Sequence, residues 1–202
     1  MLHTALMLSA LREYFEDHPW RAVTSADVIG WGLFYLLFMF YAAAKNGEFL
    51  FIDFANLVIH EAGHPLFSYL GDGATVWGGT ILQWFVPFAL ATYFVFQRQV
   101  TAFVFSLFFF FENWLYTATY MADARAQALP LVSIGGGDGD ENMHDWYNIF
   151  SRLGVLNHDV QIAHFIRVCG WIGMLSCVAF LMWRYYQSQK AESLASVRTS
   201  FQ

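Results

Sequence analysis

The sequence predicts an all-α protein, a polytopic membrane helix bundle of about five transmembrane helices with an N-terminal interfacial helix. Three observations carry this prediction. Hydrophobic residues make up 57% of the 202 residues and charged residues only 13%, against about 25% charge in an ordinary soluble domain. Phe, Trp and Tyr reach 20%, so a soluble surface would be hard to cover. Five apolar stretches approach or exceed the ~17–25 residues that cross a hydrocarbon core.

The first element lies within residues 1–27. Leu2, Leu6, Leu8 and Leu11 suggest a short amphipathic helix at the interface. No early basic region precedes this stretch, and Glu13, Glu16 and Asp17 follow it, so it does not read as a signal peptide. The bundle is expected over 28–183. Span one, 28–44, carries no charge. The turn Lys45-Asn46-Gly47-Glu48 leads to span two, 49–70, which Asp53, His60, Glu61 and His64 interrupt. Gly71-Asp72-Gly73 stops it, and Gly78-Gly79 precedes span three at 80–97. Gln97-Arg98-Gln99 separates that from span four at 100–121, whose one charge is Glu112. Span five, 160–183, holds His164 and Arg167.

The long connection 122–159 contains an acidic, glycine-rich run at 135–141. Connections of this length are usually functional or disordered, and 145–156 is expected to form a short helix or to dip back towards the membrane. The tail 184–202 is polar and expected to fray. No internal repeat divides the chain, so 1–202 is read as one membrane-embedded domain.

A net charge of -6, with no basic patch and no phosphate-cradling glycine loop, argues against a nucleic-acid partner. Cys169 and Cys177 fall on one expected helix, about 12 Å apart along its axis, too far for a disulfide. With five alternating spans, Lys45, Arg98, Arg184 and Lys190 fall on one side, and Arg12, Arg21, Arg125 and Arg152 on the other. That even tally leaves orientation to the acidic loop, which favours the N-terminus outside a bacterial-type inner or other cellular membrane.

The chemistry-bearing motif is His60-Glu61-Ala62-Gly63-His64. Histidines four residues apart lie on one helix face and can both reach one ion. Catalytic zinc takes three protein ligands and keeps a position open for water. Glu61 stands beside the first ligand, where a general base accepts a proton from the attacking water. His60 lies roughly 16 Å along span two, and ionisable groups at membrane depth are expensive enough to indicate function. A polar network between helices is the structural role that competes with metal binding.

Leu57-Val58-Ile59-His60-Glu61-Ala62-Gly63-His64 resembles the apolar run into HExGH of the site-2 protease family of intramembrane zinc metalloproteases. Gly71 and Gly78-Gly79 resemble that family's glycine-bearing turn after the motif helix. The resemblance covers roughly residues 50–90. It implies a membrane-embedded peptidase with one zinc ion, two histidines, a glutamate base and a distal aspartate ligand. The family's distal Asp-Gly preceded by Asn and Pro is not clearly present, which suits a divergent member.

A third ligand must come from elsewhere. Span two ends on the face from which span three leaves and to which span four returns, so the loop 122–159 also lies on that face. His144 and Asp145 in this loop therefore approach the motif from the correct side, and both residue types ligate zinc. Glu112 is the competing ligand. Asn113 beside it is a candidate to hold a substrate backbone or an oxyanion. Asp53, two turns before His60, can orient a histidine, line a pore or pair with Arg167. Asp123, His158 and His164 are weaker candidates.

The leading functional expectation is a zinc metalloprotease that cuts a membrane-protein or peptide substrate within or next to the bilayer, with Glu61 as base. A zinc-dependent lipid amidase or other lipid hydrolase would use the same water attack. A non-enzymatic metal-binding or transport protein would instead line a path with Asp53, His60, His64 and Glu112.

Overall fold

The computed structural model describes residues 2–129 and 144–199, and these form only helices and turns. In chain order they are α1 (Leu2–Asp17), α2 (Ser25–Lys45), α3 (Asp53–Ser68), α4 (Asp72–Phe96), α5 (Val100–Ala122), α6 (Asp145–Leu153), a 3₁₀ turn at Leu156–His158, and α7 (Asp159–Thr199). Four helices, α2, α4, α5 and α7, are long and apolar enough to cross a membrane. Their outer faces suit lipid. On α2 only Tyr35 and Ala42 are buried, while Leu33, Leu36 and Phe40 stand exposed.

The expected fifth span, 49–70, is a helix of only 16 residues, α3. That is about 24 Å, short of a ~30 Å hydrocarbon core, and α3 is not among the four. Its start accounts for the shortfall. Thr119 near the end of α5 donates a 3.1 Å hydrogen bond to Gly47 O, just after α2. Asn56, one turn into α3, donates at 3.0 Å to Glu112, in the middle of α5. Between Gly47 and Asn56 the chain therefore drops about two turns along α5, then climbs back as α3.

Contacts at the two ends fix the topology. At one end, Val23 N donates to Ser188 Oγ at 2.9 Å and Arg21 N to Arg98 O at 3.0 Å. The Arg98 guanidinium lies 4.4 Å from the centre of the Trp20 ring. The segment before α2, the α4–α5 turn and the distal part of α7 thus gather at one end. The α2–α3 connection, the α3–α4 turn and α6 gather at the other, where Trp77 and Trp146 meet edge to face at 5.8 Å.

Helix ends follow local chemistry. Thr24 and Asp27 form a capping box at the start of α2, which satisfies two otherwise orphaned backbone donors. α6 closes on Gly154 at φ +70, a left-handed position that glycine adopts without strain. Its buried residues Asp145, Trp146, Ile149 and Phe150 form one face at helical spacing, which docks the helix on the bundle.

One further expectation changes. Gly78-Gly79 does not precede a span but lies inside α4, which begins at Asp72. Past Arg184, α7 continues to Thr199, so the described part of the polar tail is helical. The glycine-rich run 135–141 lies outside the described residues.

Candidate metal centre

His60 and His64 project from one face of α3, and Asp145 opens α6. Their ligand atoms lie within 4.8 Å of one another, the one such grouping of three or more His, Cys, Asp or Glu among the described residues. Asp145 Oδ2 is 2.9 Å from His60 Nε2 and 3.4 Å from His64 Nε2. Tetrahedral zinc, with bonds of ~2.0–2.1 Å, holds its donors ~3.3 Å apart, so the spacing fits.

Hydrogen bonding at the far side of each ring sharpens the fit. His64 Nδ1 is 2.9 Å from the Thr75 carbonyl oxygen, which only accepts, so that nitrogen carries the proton. His60 Nδ1 is 2.9 Å from Gln83 Oε1. The Gln83 amide nitrogen in turn donates to Thr117 Oγ1 at 3.1 Å, as does Trp84 Nε1 at 3.0 Å. With Nδ1 protonated, a neutral imidazole turns its Nε2 lone pair towards Asp145. Two lone pairs facing a carboxylate oxygen repel unless a cation or protons lie among them. Metal-ligating histidines are oriented in this way, with the remote N–H held by an oxygen.

Small residues make the histidine geometry possible. A Cβ on Gly63 would collide with the backbone of Gly78, and one on Gly78 would lie 2.6 Å from Gly63 O. At Gly79 a Cβ would lie 2.6 Å from both Cε1 and Nε2 of His60. The backbones of α3 and α4 touch here, as small residues permit between membrane helices, and the His60 ring lies flat against Gly79. Pro65 and Pro87 sit four residues after Glu61 and Gln83 inside their helices. Each removes the N–H that would bond the earlier carbonyl, so both carbonyls are released beside the site.

The structure separates His144 from Asp145. His144 is the N-cap of α6, and its Nδ1 accepts from Tyr147 N at 3.2 Å. Nε2 then carries the proton and lies 3.4 Å from Asp123 Oδ2, an electrostatic contact too poorly aligned to count as a hydrogen bond. Burial holds the His144 imidazole below its ordinary pKa, and Asp123 opposes that in part. His144 thus faces away from the ligand cluster and aims its neighbour at it. Tyr120 assists, its hydroxyl accepting from Asp145 N at 3.1 Å. Asp123 also accepts from Ala128 N at 2.9 Å and Leu129 N at 3.1 Å, which folds the turn after α5.

Glu61 is half-buried beside His60, within electrostatic range of Tyr116 and Tyr120. Glu112 and Asp53 do not join the cluster. Asn56 Nδ2 bridges them, 3.0 Å from each carboxylate. Asn113 is fully buried and donates to Phe109 O at 3.1 Å within its own helix. His158 and His164 are exposed and remote from the cluster's donor set.

Sequence reasoning missed Gln83, Thr75 and Thr117. Gln83 carried a usable signal, as the lone amide in the apolar stretch 80–96. Thr75 acts through its backbone carbonyl and gave none. No family model matches the chain, and no curated protein or solved structure matches it.

Proposed function

We propose that this protein is a membrane-embedded zinc metalloprotease that hydrolyses a peptide bond within or beside the bilayer. One observation carries the proposal: His60, His64 and Asp145 converge while both remote imidazole nitrogens face oxygen acceptors. Two histidines and one carboxylate leave a fourth position open, the arrangement of catalytic rather than structural zinc sites. Zinc bound there supplies Lewis acidity, polarising a carbonyl and acidifying water.

The chain's own residues do the rest. Glu61 takes the proton of the attacking water and passes it to the leaving nitrogen. Gln83 and the Thr75 carbonyl hold the two rings in one tautomer. Tyr120 and the His144 cap fix the direction of Asp145. Simple metal storage would not need Glu61. A transport path would need Asp53 and Glu112 in the same chain of ligands, and both are engaged by Asn56 instead.

If the four long apolar helices are the crossings, the basic residues divide unevenly between the two ends. Arg12, Arg21, Arg98, Arg184 and Lys190 then share the end away from the site, against Lys45, Arg125 and Arg152 at the site end. Under the positive-inside rule both termini face the cytoplasm, and the metal centre opens towards the opposite side. On this reading α1 lies along the cytoplasmic interface, where Tyr14 donates to Phe96 O at 2.9 Å.

The test is elemental analysis and turnover on purified protein with a transmembrane peptide substrate. The parent should hold about one zinc per chain. A His60→Ala/His64→Ala variant should hold none. Glu61→Gln should keep the metal and lose cleavage. Zinc retained without both histidines would overturn the metal assignment, and cleavage by Glu61→Gln would overturn the role of the base.

A further inference from the structure

A cavity of about 290 Å³ opens between the end of α2, the descending segment before α3, α5 and α7. Its lining includes Gly47, Asp53, Tyr116, Thr119, Arg167 and Trp171. Arg167 is unusual. Its Nη2 donates to Thr119 Oγ1 at 3.1 Å, but its buried Nε has no partner. No carboxylate among the described residues lies within ion-pairing distance of it. Glu48 is 3.2 Å from Lys45, and Asp53 accepts from Leu50 N at 2.7 Å and from Asn56 Nδ2 at 3.0 Å. On an apolar helix, a guanidinium with no carboxylate partner among the described residues suits an anionic ligand.

We propose that this cavity is the specificity pocket of the enzyme and takes the side-chain carboxylate of an acidic residue in the peptide substrate. A guanidinium fork matches a carboxylate in both shape and charge. The cavity, about 290 Å³, lies at the lower end of the ~300–1,000 Å³ of ordinary small-molecule sites and accommodates an acidic side chain with its adjoining backbone. Asp53 also lines the cavity, and its carboxylate disfavours a second anion there. Gly47, at φ +90, keeps the space open: a Cβ there would lie 3.3 Å from two guanidinium nitrogens. Tyr116 lines the cavity and lies within electrostatic range of Glu61 and Asp145, which puts the pocket on the same side of the bundle as the metal centre. A substrate with its scissile bond at the metal would reach Arg167 past this ring.

The inference rests on the peptidase reading for the peptide nature of the ligand, and its test does not use turnover. Binding of N-octanoyl-Ala-Glu-Ala-amide and its Gln counterpart is measured by calorimetry on the full-length protein in detergent, metal-loaded and chelated, and on Glu61→Gln. The Glu peptide should bind at least about tenfold more tightly, a difference of 1.4 kcal/mol, in all three preparations. Arg167→Gln should abolish the preference and Arg167→Lys retain part of it. If Arg167→Gln does not fold, Thr119→Val, which releases one guanidinium nitrogen, should reduce the preference at least threefold. Equal binding of the two peptides, a preference that survives Arg167→Gln, or, where that variant does not fold, one undiminished in Thr119→Val would overturn the assignment. So would tighter binding of inorganic phosphate or dihexanoyl phosphatidate than of the Glu peptide. A Glu preference in a protein that cleaves nothing would sink the peptidase reading while leaving the pocket intact.

Discussion

Two helix pairs depend on glycine, and they use it differently. Between α3 and α4, Gly63 and Gly78 bring backbone against backbone, and Gly79 receives the face of a histidine ring. Between α5 and α7, Gly173 receives the ring of Phe111, while Gly170 lies against Phe111 O and the side chains of Leu115 and Trp114. The first contact sets the position of polar groups. The second fills apolar space in a core that includes Phe108, Val104 and Met174. A substitution in the first pair should therefore be read in metal binding, and one in the second in stability.

The largest expected effect lies at Gly63. Gly63→Val forces α3 off α4, so His60 and Gln83 part and metal binding is lost together with much of the stability, as zinc analysis and thermal unfolding in detergent would show. Gly79→Ala is the sharper probe. Its methyl would press on the His60 ring, so zinc affinity should fall by about 100-fold, with a smaller change in unfolding temperature. If Gly79→Ala unfolds the protein but its folded fraction binds zinc normally, the distinction between the pairs fails.

Gln83→Leu should come next. It removes the acceptor for His60 Nδ1 while keeping volume, and a loss of roughly ten- to 100-fold in zinc affinity is expected from losing such a partner, measured by competition with a chelating dye. In the other pair, Gly173→Ala overpacks Phe111 and should cost about 1–3 kcal/mol of stability with zinc stoichiometry unchanged. The smallest effect belongs to Gly30→Ala on α2, where no atom lies within 4 Å of the new methyl. A shift within about 1 kcal/mol of neutral, in the stabilising direction, is expected from helix propensity.

The motif helix was legible because two histidines and a glutamate at helical spacing inside an apolar run seldom serve packing alone. The four helices long and apolar enough to cross a membrane were legible from length and composition. The placement of the loop opposite the motif needed only that α4 leave the site end and α5 return to it. It was therefore unaffected when α3 proved too short to cross. The status of α3 was not legible from hydropathy, since the drop from Gly47 to Asn56 depends on side-chain bonds to Thr119 and Glu112 on another helix. Nor could spacing choose between His144 and Asp145. That choice depends on which residue caps α6, and a histidine cap bonded to Tyr147 N is set by backbone angles. The reach of α7 to Thr199 was hidden because its last turns are polar, although Ala191, Leu194 and Ala195 suit a helix well.

The joining of α3 to α6 has a consequence for how the chain is held together. His60 and Asp145 are 85 residues apart in sequence. An ion gripped by both would act as a cross-link that ties the chain into a ring enclosing α4 and α5. A covalent tie around a loop of that length lowers the entropy of the open chain by an amount worth about 4 to 5 kcal/mol. A bound metal would then serve as a reversible staple on the architecture, so that chelation would free α6 from the bundle before any crossing helix came apart.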